Sequence, residues 1–176
     1  LDPIIVPFEK RANAIVAYST QGAKYYQKIG VSPEKIFVAV NVIDTDARQM
    51  EIKSFEEKHI QSSSTCIKKF RIVFVGALES NKNIEMLINA FSKIHKAFPD
   101  TELHIVGDGA HKENLKRLGK SLGSSPSIYF HGRVEGALID VVYNMDVFVM
   151  PGLGGLAVSD MLCHGIPVIC GVGDGC

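Results

Sequence analysis

The feature that most constrains the fold is an alternation of short apolar runs with helical patterns, which begins at residue 71. The runs are rich in Val and Ile and stand at 71–75, 103–106, 127–130, 147–150 and 166–170. Short continuous apolar strands are typical of parallel sheets, because helices cover both faces of such sheets. The order β-α-β-α-β-α-β-α-β therefore predicts an α/β fold built on a doubly wound parallel sheet, which is Rossmann-like.

The first predicted helix of this series has the clearest apolar face. Apolar residues recur at helical spacing between the first two strands, at Ile84, Leu87, Ile88, Phe91 and Ile94. This spacing predicts an amphipathic helix that ends near Pro99.

The chain before residue 71 has two parts. Apolar runs at 14–18 and 36–40 predict two further strands, with a helix between them that is capped by Ser19 and ended by Gly30. Residues 45–70 are charged and Ser-rich, which predicts an interdomain linker or a surface excursion. We accordingly divide the chain into segments 1–44, 45–70 and 71–176.

Composition excludes several classes of protein. The 19 Lys and Arg residues balance the 19 Asp and Glu residues, whereas a nucleic-acid-binding protein usually needs a basic surplus, so we expect no nucleic-acid partner. No apolar run is long enough to span a membrane. The four cysteines form no C-x-x-C pair, which favours reduced thiols in a cytoplasmic protein. The chain begins without Met and ends just after an apolar run, so we expect a fragment of a longer chain.

The first candidate binding loop spans residues 76–83. In doubly wound sheets, ligands bind at the carboxyl ends of the strands, beside helix N-termini. Gly76 ends a predicted strand, and Lys82 lies where the next helix begins. The helix dipole disfavours a cation there, so a facing phosphate would explain Lys82. The alternative is a solvated lysine.

The second candidate loop spans residues 151–160. It contains Gly152, Gly154 and Gly155 just before a predicted helix that begins at Leu156. Glycines let backbone amides approach a phosphate closely. Asp160 lies about one turn into this helix, where a carboxylate could bind a ribose diol. The alternative is a surface Asp that interacts only with the helix dipole. His104, His131 and His164 show no metal-ligand spacing, and we predict structural roles for them.

Together these segments resemble the retaining glycosyltransferases of family 4. That family has the GT-B fold, in which two Rossmann-like domains bind a nucleotide-sugar between them. The matching segments, in chain order, are Asn41–Asp44, Val75–Gly76 with Lys82, Leu103–Gly109, Phe130–Val134 and Met150–Ile169. The resemblance implies that residues 1–44 end an N-terminal acceptor-side domain. Residues 71–176 would then form a truncated C-terminal domain that binds the nucleotide-sugar, which makes the chain one half of a GT-B architecture.

The resemblance also implies the reaction and its residues. A sugar would pass from a nucleotide-sugar donor to a carbohydrate or lipid-linked acceptor with retention of configuration. Lys82 is the implied catalytic residue, and the donor would be bound by Gly76, Gly107, Gly109, Arg133, Val134, Gly154, Gly155, Leu156 and Asp160. No metal or other cofactor is expected. Peripheral membrane association of the full-length protein is compatible with such acceptors.

Three positions depart from the family's pattern. Ala77 stands where the family usually has an Arg, which leaves Lys82 as the assigned diphosphate cation. The family has two glutamates with seven residues between them; the first position is Gly152 here, and the second is Asp160, whose side chain is one methylene shorter than Glu. A nucleotide-binding module without transferase activity is therefore an alternative. A flavodoxin-like or regulator-like domain that binds a partner is a third, since fold does not imply function.

Overall fold

The computed structural model describes residues 5–40, 42–59, 69–134 and 138–171. The chain divides into two compact units, of which the first ends at Val42 and the second begins at Ile43. Within the described residues, no helix combines the length and the apolar character that a membrane span requires.

In its described residues, the first unit contains two α-helices and a two-stranded parallel sheet. Its elements are α1 (Ile5–Arg11), β1 (Ile15–Ala17), α2 (Thr20–Lys28) and β2 (Ile36–Val38). The hydroxyl of Ser19 accepts a hydrogen bond from the amide of Gly22 at 3.0 Å, so Ser19 caps α2 as predicted. Helix α1 was not predicted.

The second unit is built on a five-stranded parallel sheet. Its elements are α3 (Thr45–His59), β3 (Phe70–Val75), α4 (Ile84–Ala97), β4 (Thr101–Val106), α5 (Lys112–Ser121), β5 (Ile128–Gly132), α6 (Ile139–Val142), β6 (Val147–Met150), α7 (Leu156–Cys163) and β7 (Val168–Cys170). The strand order is β5-β4-β3-β6-β7, and every pair is parallel. The predicted doubly wound parallel sheet is therefore confirmed.

The strand order determines where a ligand crevice forms. The chain moves outward from β3 to β4 and β5, and then returns to place β6 on the other side of β3. The direction of winding therefore reverses between β3 and β6, and ligands of open α/β sheets bind at this switch point, beyond the carboxyl ends of the strands.

The core lies between the sheet and its helices. Phe74 on β3, Phe148 on β6 and Phe91 on α4 are fully buried in it. The predicted apolar face of α4 is buried except for Ile94, which is 42% exposed. Ten residues at 100° each rotate Ile94 about 80° from Ile84, so it lies at the edge of the apolar stripe.

Residues 45–59 form helix α3, where the sequence predicts a linker or a surface excursion. None of its residues is buried, so it carries no apolar stripe that periodicity could detect. The carboxylate of Asp44 accepts a hydrogen bond from the amide of Ala47 at 2.9 Å and thereby caps the helix. The ring of Phe55 lies 4.7 Å from that of Tyr143, directly after α6. Asn41 and residues 60–68 of the predicted boundary and linker lie outside the described residues.

Candidate functional site

A cleft of about 490 Å³ lies at the carboxyl ends of β3, β4 and β5. It is lined by Arg48, Val75, Gly76, Ala77, Val106, Gly107, Asp108, Arg133, Val134 and Leu138. Four predicted donor-binding residues thus meet in one place: Gly76, Gly107, Arg133 and Val134. Another cleft, of about 340 Å³, lies between α5 and β5 and contains none of the predicted residues. The first cleft is the candidate site, because it lies at the carboxyl ends of the strands and adjoins the switch point at β3. The predicted residues Lys82, Gly154, Gly155, Leu156 and Asp160 are not among its lining residues.

The glycines after β4 allow two loops to touch. A Cβ atom on Gly107 would lie 1.9 Å from the carbonyl oxygen of Gly76, and one on Gly109 would lie 2.6 Å from the carbonyl oxygen of Leu78. Gly107 also has a φ of +136°, which side-chain-bearing residues rarely adopt. Gly109 is not among the residues that line the cleft. Gly107 therefore has a packing role in the wall of the cleft, and Gly109 has one in the contact between the two loops.

Lys82 connects the two candidate loops across the switch point. Its ammonium donates hydrogen bonds to the carbonyl oxygens of Leu153 at 2.6 Å and Gly154 at 3.2 Å. The amide of Leu153 in turn donates to the carbonyl oxygen of Asn81 at 3.0 Å. Lys82 is half-buried, so it is not the solvated lysine of the alternative interpretation. An ammonium has three protons, and these carbonyls account for two of them.

Gly152 lies where the two loops pack most closely. A Cβ atom there would lie 2.3 Å from the carbonyl oxygen of Asn81 and 2.6 Å from the Cα of Lys82. Both neighbours are backbone atoms, which cannot rotate away as a side chain can. This position, eight residues before Asp160, therefore has no room for any side chain in the present arrangement of the loops.

The second loop enters helix α7 through Gly155. Gly155 has a φ of +145°, and α7 begins at the next residue, Leu156. The first turn of a helix presents amides that the helix itself does not pair, together with the positive end of its dipole. The predicted residues Gly154, Gly155 and Leu156 thus lie at a helix N-terminus, beside the Lys82 ammonium.

The carboxylate of Asp160 is bound by an arginine that the sequence analysis missed. The Nε of Arg48 donates to Oδ1 of Asp160 at 2.7 Å, and its Nη2 donates to Oδ2 at 3.4 Å. Its Nη1 donates to the carboxylate of Glu51 at 2.9 Å. These hydrogen bonds, to Glu51 first and then to Asp160, raise the pKa of Arg48 above its ordinary value. Asp160 therefore interacts with more than the helix dipole.

Asp108 is a second charged lining residue that the sequence analysis missed. Its carboxylate accepts a hydrogen bond from the ammonium of Lys112 at 2.6 Å and another from the amide of Gly109 at 2.8 Å. The hydrogen bond from Lys112, followed by that from Gly109, lowers the pKa of Asp108. A lone Asp between two glycines is also typical of an ordinary turn, so the sequence alone did not single it out.

A polar cluster surrounds Glu102 at some distance along the strands from the cleft. The carboxylate of Glu102 accepts hydrogen bonds from Lys69 at 2.7 Å, Arg71 at 3.3 Å and the Tyr129 hydroxyl at 3.2 Å. Burial alone would raise the pKa of Glu102, but these three hydrogen bonds outweigh it and lower the pKa to about 2. These hydrogen bonds connect β3, β4 and β5 near the amino ends of the strands.

Two of the histidines interact with each other beside this cluster. The Nδ1 of His104 lies 2.9 Å from the Nε2 of His131, and their rings stack. Burial, followed by the neighbouring His131, lowers the pKa of His104, although Glu102 opposes the shift. Burial also lowers the pKa of His131. These contacts give both histidines a packing role.

Comparison with known proteins gives a consistent result. Residues 55–176 match the family described as Glycosyl transferases group 1. The sulfoquinovosyl transferase SQD2 of Arabidopsis thaliana is 28% identical over 131 residues, which are 72% of this chain and 24% of that protein. A GDP-mannose-dependent phosphatidylinositol monomannoside mannosyltransferase of Mycolicibacterium smegmatis is 31% identical over 112 residues, which are 57% of this chain and 29% of that protein.

Solved structures show the same fold. HepE of Anabaena, in a complex with UDP and glucose, superposes with a TM-score of 0.72 at 20% identity, over 98% of this chain and 48% of that one. WaaG, a glycosyltransferase involved in lipopolysaccharide biosynthesis, gives a TM-score of 0.70 at 16% identity, over 88% of this chain and 43% of that one. The chain thus spans about a quarter of the length of the curated relatives above and less than half of these two structures.

Proposed function

Because this chain belongs to the group 1 glycosyl transferases, we propose that it is the donor-binding part of an enzyme that transfers a sugar from a nucleotide-sugar. The family match supports the class of reaction. The proposal for this chain rests on the cleft at the carboxyl ends of β3, β4 and β5. Gly76, Gly107, Arg133 and Val134 all line this cleft.

The names of the similar proteins support a nucleoside-diphosphate donor. HepE is described in complex with UDP and glucose, and the mycobacterial relative is named as GDP-mannose-dependent. We propose that the base lies against Arg133 and Val134 and that the ribose diol binds Asp160. The diphosphate would then lie near Lys82 and the N-terminus of α7. Gly76 and Gly107 would let it approach the backbone, while Gly109 supports the loop.

We propose that transfer proceeds with retention at the anomeric carbon. As the bond to the nucleoside diphosphate breaks, negative charge develops on the leaving phosphate. The remaining proton of the Lys82 ammonium and the amides from Gly154 to Leu156 would stabilise that charge, which is electrostatic transition-state stabilisation. Since a fixed cation and a helix N-terminus provide positive charge, we propose that no metal is required.

A nucleotide-binding module without transferase activity is the second candidate function. Gly152 favours it, because this position has no room for an acidic side chain that would face the sugar. Ala77 favours it too, since alanine contributes no charge to the cleft. Measured release of sugar from the donor separates the two functions.

We also propose an acceptor class and a cellular location. One relative is named as a phosphatidylinositol monomannoside mannosyltransferase and another as an alpha-monoglucosyldiacylglycerol synthase. These names support a lipid-linked or carbohydrate acceptor and peripheral membrane association. The balanced charge supports a protein without a nucleic-acid partner. Cysteines without metal or redox spacing support a cytoplasmic location.

Binding of nucleoside diphosphates tests the donor site directly. UDP or GDP at a hundredfold excess over its Kd should stabilise the folded chain by about 2.7 kcal/mol, which a thermal unfolding experiment detects. If Asp160 binds the ribose diol, Asp160→Asn should weaken nucleotide binding by about 1.5 to 3 kcal/mol and leave pyrophosphate binding nearly unchanged.

Asp140→Asn on α6 is the matched control, since Asp140 is exposed and loses the same charge. An Asp160→Asn variant that binds both nucleotide and pyrophosphate more tightly, and by the same factor, would refute the ribose assignment, because loss of a ribose contact weakens nucleotide binding and leaves pyrophosphate binding nearly unchanged. A natural full-length protein that binds UDP or GDP tightly, yet releases no sugar from UDP- or GDP-sugars, would favour the binding module.

A further inference from the structure

We propose that Arg48 is a positioning residue that orients the carboxylate of Asp160 and thereby makes the site prefer ribonucleotides to 2′-deoxyribonucleotides. This inference rests on the proposed function, since it concerns the same nucleotide site. It assigns a role in donor selection to helix α3. Arg48 on this helix lies outside the sequence motifs and outside the family match, which covers residues 55–176.

The geometry fixes the plane of the Asp160 carboxylate. Arg48 donates from Nε to Oδ1 at 2.7 Å and from Nη2 to Oδ2 at 3.4 Å, so both oxygens are engaged from one side. A paired contact of this kind restricts rotation of the carboxylate, whereas a single contact leaves it free to turn. Only 16% of the Asp160 side chain is exposed, which confines its remaining acceptor sites further.

Arg48 is itself held in place from two sides. Glu51, three residues further along α3, accepts a hydrogen bond from Nη1 at 2.9 Å. Asp44 caps the start of the same helix, and the Phe55 ring packs against Tyr143 at 4.7 Å. The guanidinium therefore stands on an anchored helix, and it forms part of the cleft wall together with Gly76 and Gly107.

The charge of this group indicates which part of a nucleotide it suits. One guanidinium between the carboxylates of Glu51 and Asp160 leaves a net charge of about −1, which repels a phosphate. A carboxylate has about four acceptor positions, and Arg48 occupies two on Asp160. The others can accept protons from neighbouring hydroxyl groups. The group therefore suits a ribose diol, and Arg48 acts through Asp160 instead of binding phosphate.

Calorimetric titration with three probes tests this role: UDP, 2′-deoxy-UDP and inorganic pyrophosphate, with GDP and 2′-deoxy-GDP in parallel. The unmodified chain should bind the ribonucleotide at least about tenfold more tightly than its deoxy form, since a hydrogen bond to a charged group is lost. In Arg48→Ala this ratio should fall to within about twofold, and pyrophosphate affinity should change by less than about threefold.

Three further variants sharpen the test. Arg48→Lys should keep an intermediate ratio, because an ammonium is a point donor and cannot make the paired contact. Glu51→Gln leaves the Arg48–Asp160 pair in place and should lower the ratio of ribonucleotide to deoxyribonucleotide affinity by about two- to threefold. This variant replaces Arg48→Ala in the test if Arg48→Ala folds poorly. Lys53→Ala, an exposed position on the same helix with the same loss of charge, should behave as the unmodified chain does.

Each other outcome overturns the proposal in a recognisable way. An unchanged ratio in Arg48→Ala and Arg48→Lys refutes the positioning role while the nucleotide site stands. Pyrophosphate binding that weakens by more than about threefold in Arg48→Ala means that the positive charge of Arg48 acts on phosphate, by contact or through the net charge of the group, and refutes a role through Asp160 alone. An equal loss for all three probes with a lower melting temperature means that the ion pair is only structural. Failure of the unmodified chain to bind UDP or GDP removes the proposed function and this inference with it.

Discussion

Replacement of Gly152 by Ala should separate the two loops that meet at the switch point. The new Cβ atom would lie 2.3 Å from the carbonyl oxygen of Asn81 and 2.5 Å from the carbonyl carbon of Lys82. Atoms at such distances overlap, and because both neighbours are backbone atoms, the loops themselves must move. The first contact to be lost is the hydrogen bond from the amide of Leu153 to Asn81, at 3.0 Å.

The expected loss of stability follows from two contributions. Overpacking by one methyl group destabilises a protein by about 1 to 3 kcal/mol, and loss of a backbone hydrogen bond adds roughly 1 kcal/mol. We therefore expect Gly152→Ala to lower the free energy of unfolding by about 2 to 4 kcal/mol. With an m value of about 2 kcal/mol/M, the urea midpoint should fall by roughly 1 to 2 M.

Urea unfolding followed by circular dichroism measures this change, since the chain has no tryptophan. Gly154→Ala, two residues further on, is the matched control. A Cβ atom on Gly154 would meet only the Val158 side chain, at 3.6 Å, which is an ordinary contact. Equal urea midpoints for Gly152→Ala and Gly154→Ala would refute the steric argument. Gly152→Glu should unfold at least as easily as Gly152→Ala, so an acid at this position should not raise the rate of sugar transfer.

Two further changes test other parts of the structure. Lys82→Ala removes the hydrogen bonds to Leu153 and Gly154, so we expect a loss of about 1 to 2 kcal/mol in urea unfolding and a ten- to hundredfold loss of UDP affinity; unchanged affinity would leave Lys82 with only the loop contact. Because the pKa of Glu102 is lowered to about 2 in the folded chain, this carboxylate takes up a proton at a higher pH in the unfolded chain than in the folded one. Its contribution to the free energy of unfolding is therefore present above about pH 4.5 and is lost as the pH falls towards 2. Partial exposure of its cationic partners limits this contribution to about 1 to 2 kcal/mol, and Glu102→Gln should remove it from a pH series of urea midpoints; an unchanged series would contradict the linkage.

The parallel sheet could be predicted because its sequence signal is local. Every strand from β3 to β7 contains a short apolar run, and a glycine or a proline lies at the end of the strand or directly after it. Helix α3 could not be predicted in this way, since it buries none of its residues and therefore shows no apolar period. Its position depends on contacts such as that of Phe55 with Tyr143, which are distant in sequence.

The candidate site was only partly predictable for the same reason. The glycines after β3 and β4 were recognised by their places at strand ends, and the structure brings Gly76 and Gly107 into contact. Arg48, in contrast, lies 112 residues before Asp160. A single arginine in a polar stretch carries no local signal, and only the packing of α3 beside α7 brings it to the cleft.

The departures at Ala77 and Gly152 affect nucleotide binding and sugar transfer differently, and this difference separates the two candidate functions. The cleft wall includes Gly76 and Gly107, where no side chain covers the backbone, and neither departure removes these two glycines. Interactions that hold the nucleotide equally well before and during the reaction give affinity without rate, whereas transfer needs contacts that strengthen only in the transition state. A side chain that faces the transferred sugar makes a contact of the kind that strengthens in the transition state, but position 152 has no room for a side chain. We therefore expect nucleotide affinity to resemble that of an ordinary donor site, while the rate of transfer depends on Lys82 and the N-terminus of α7.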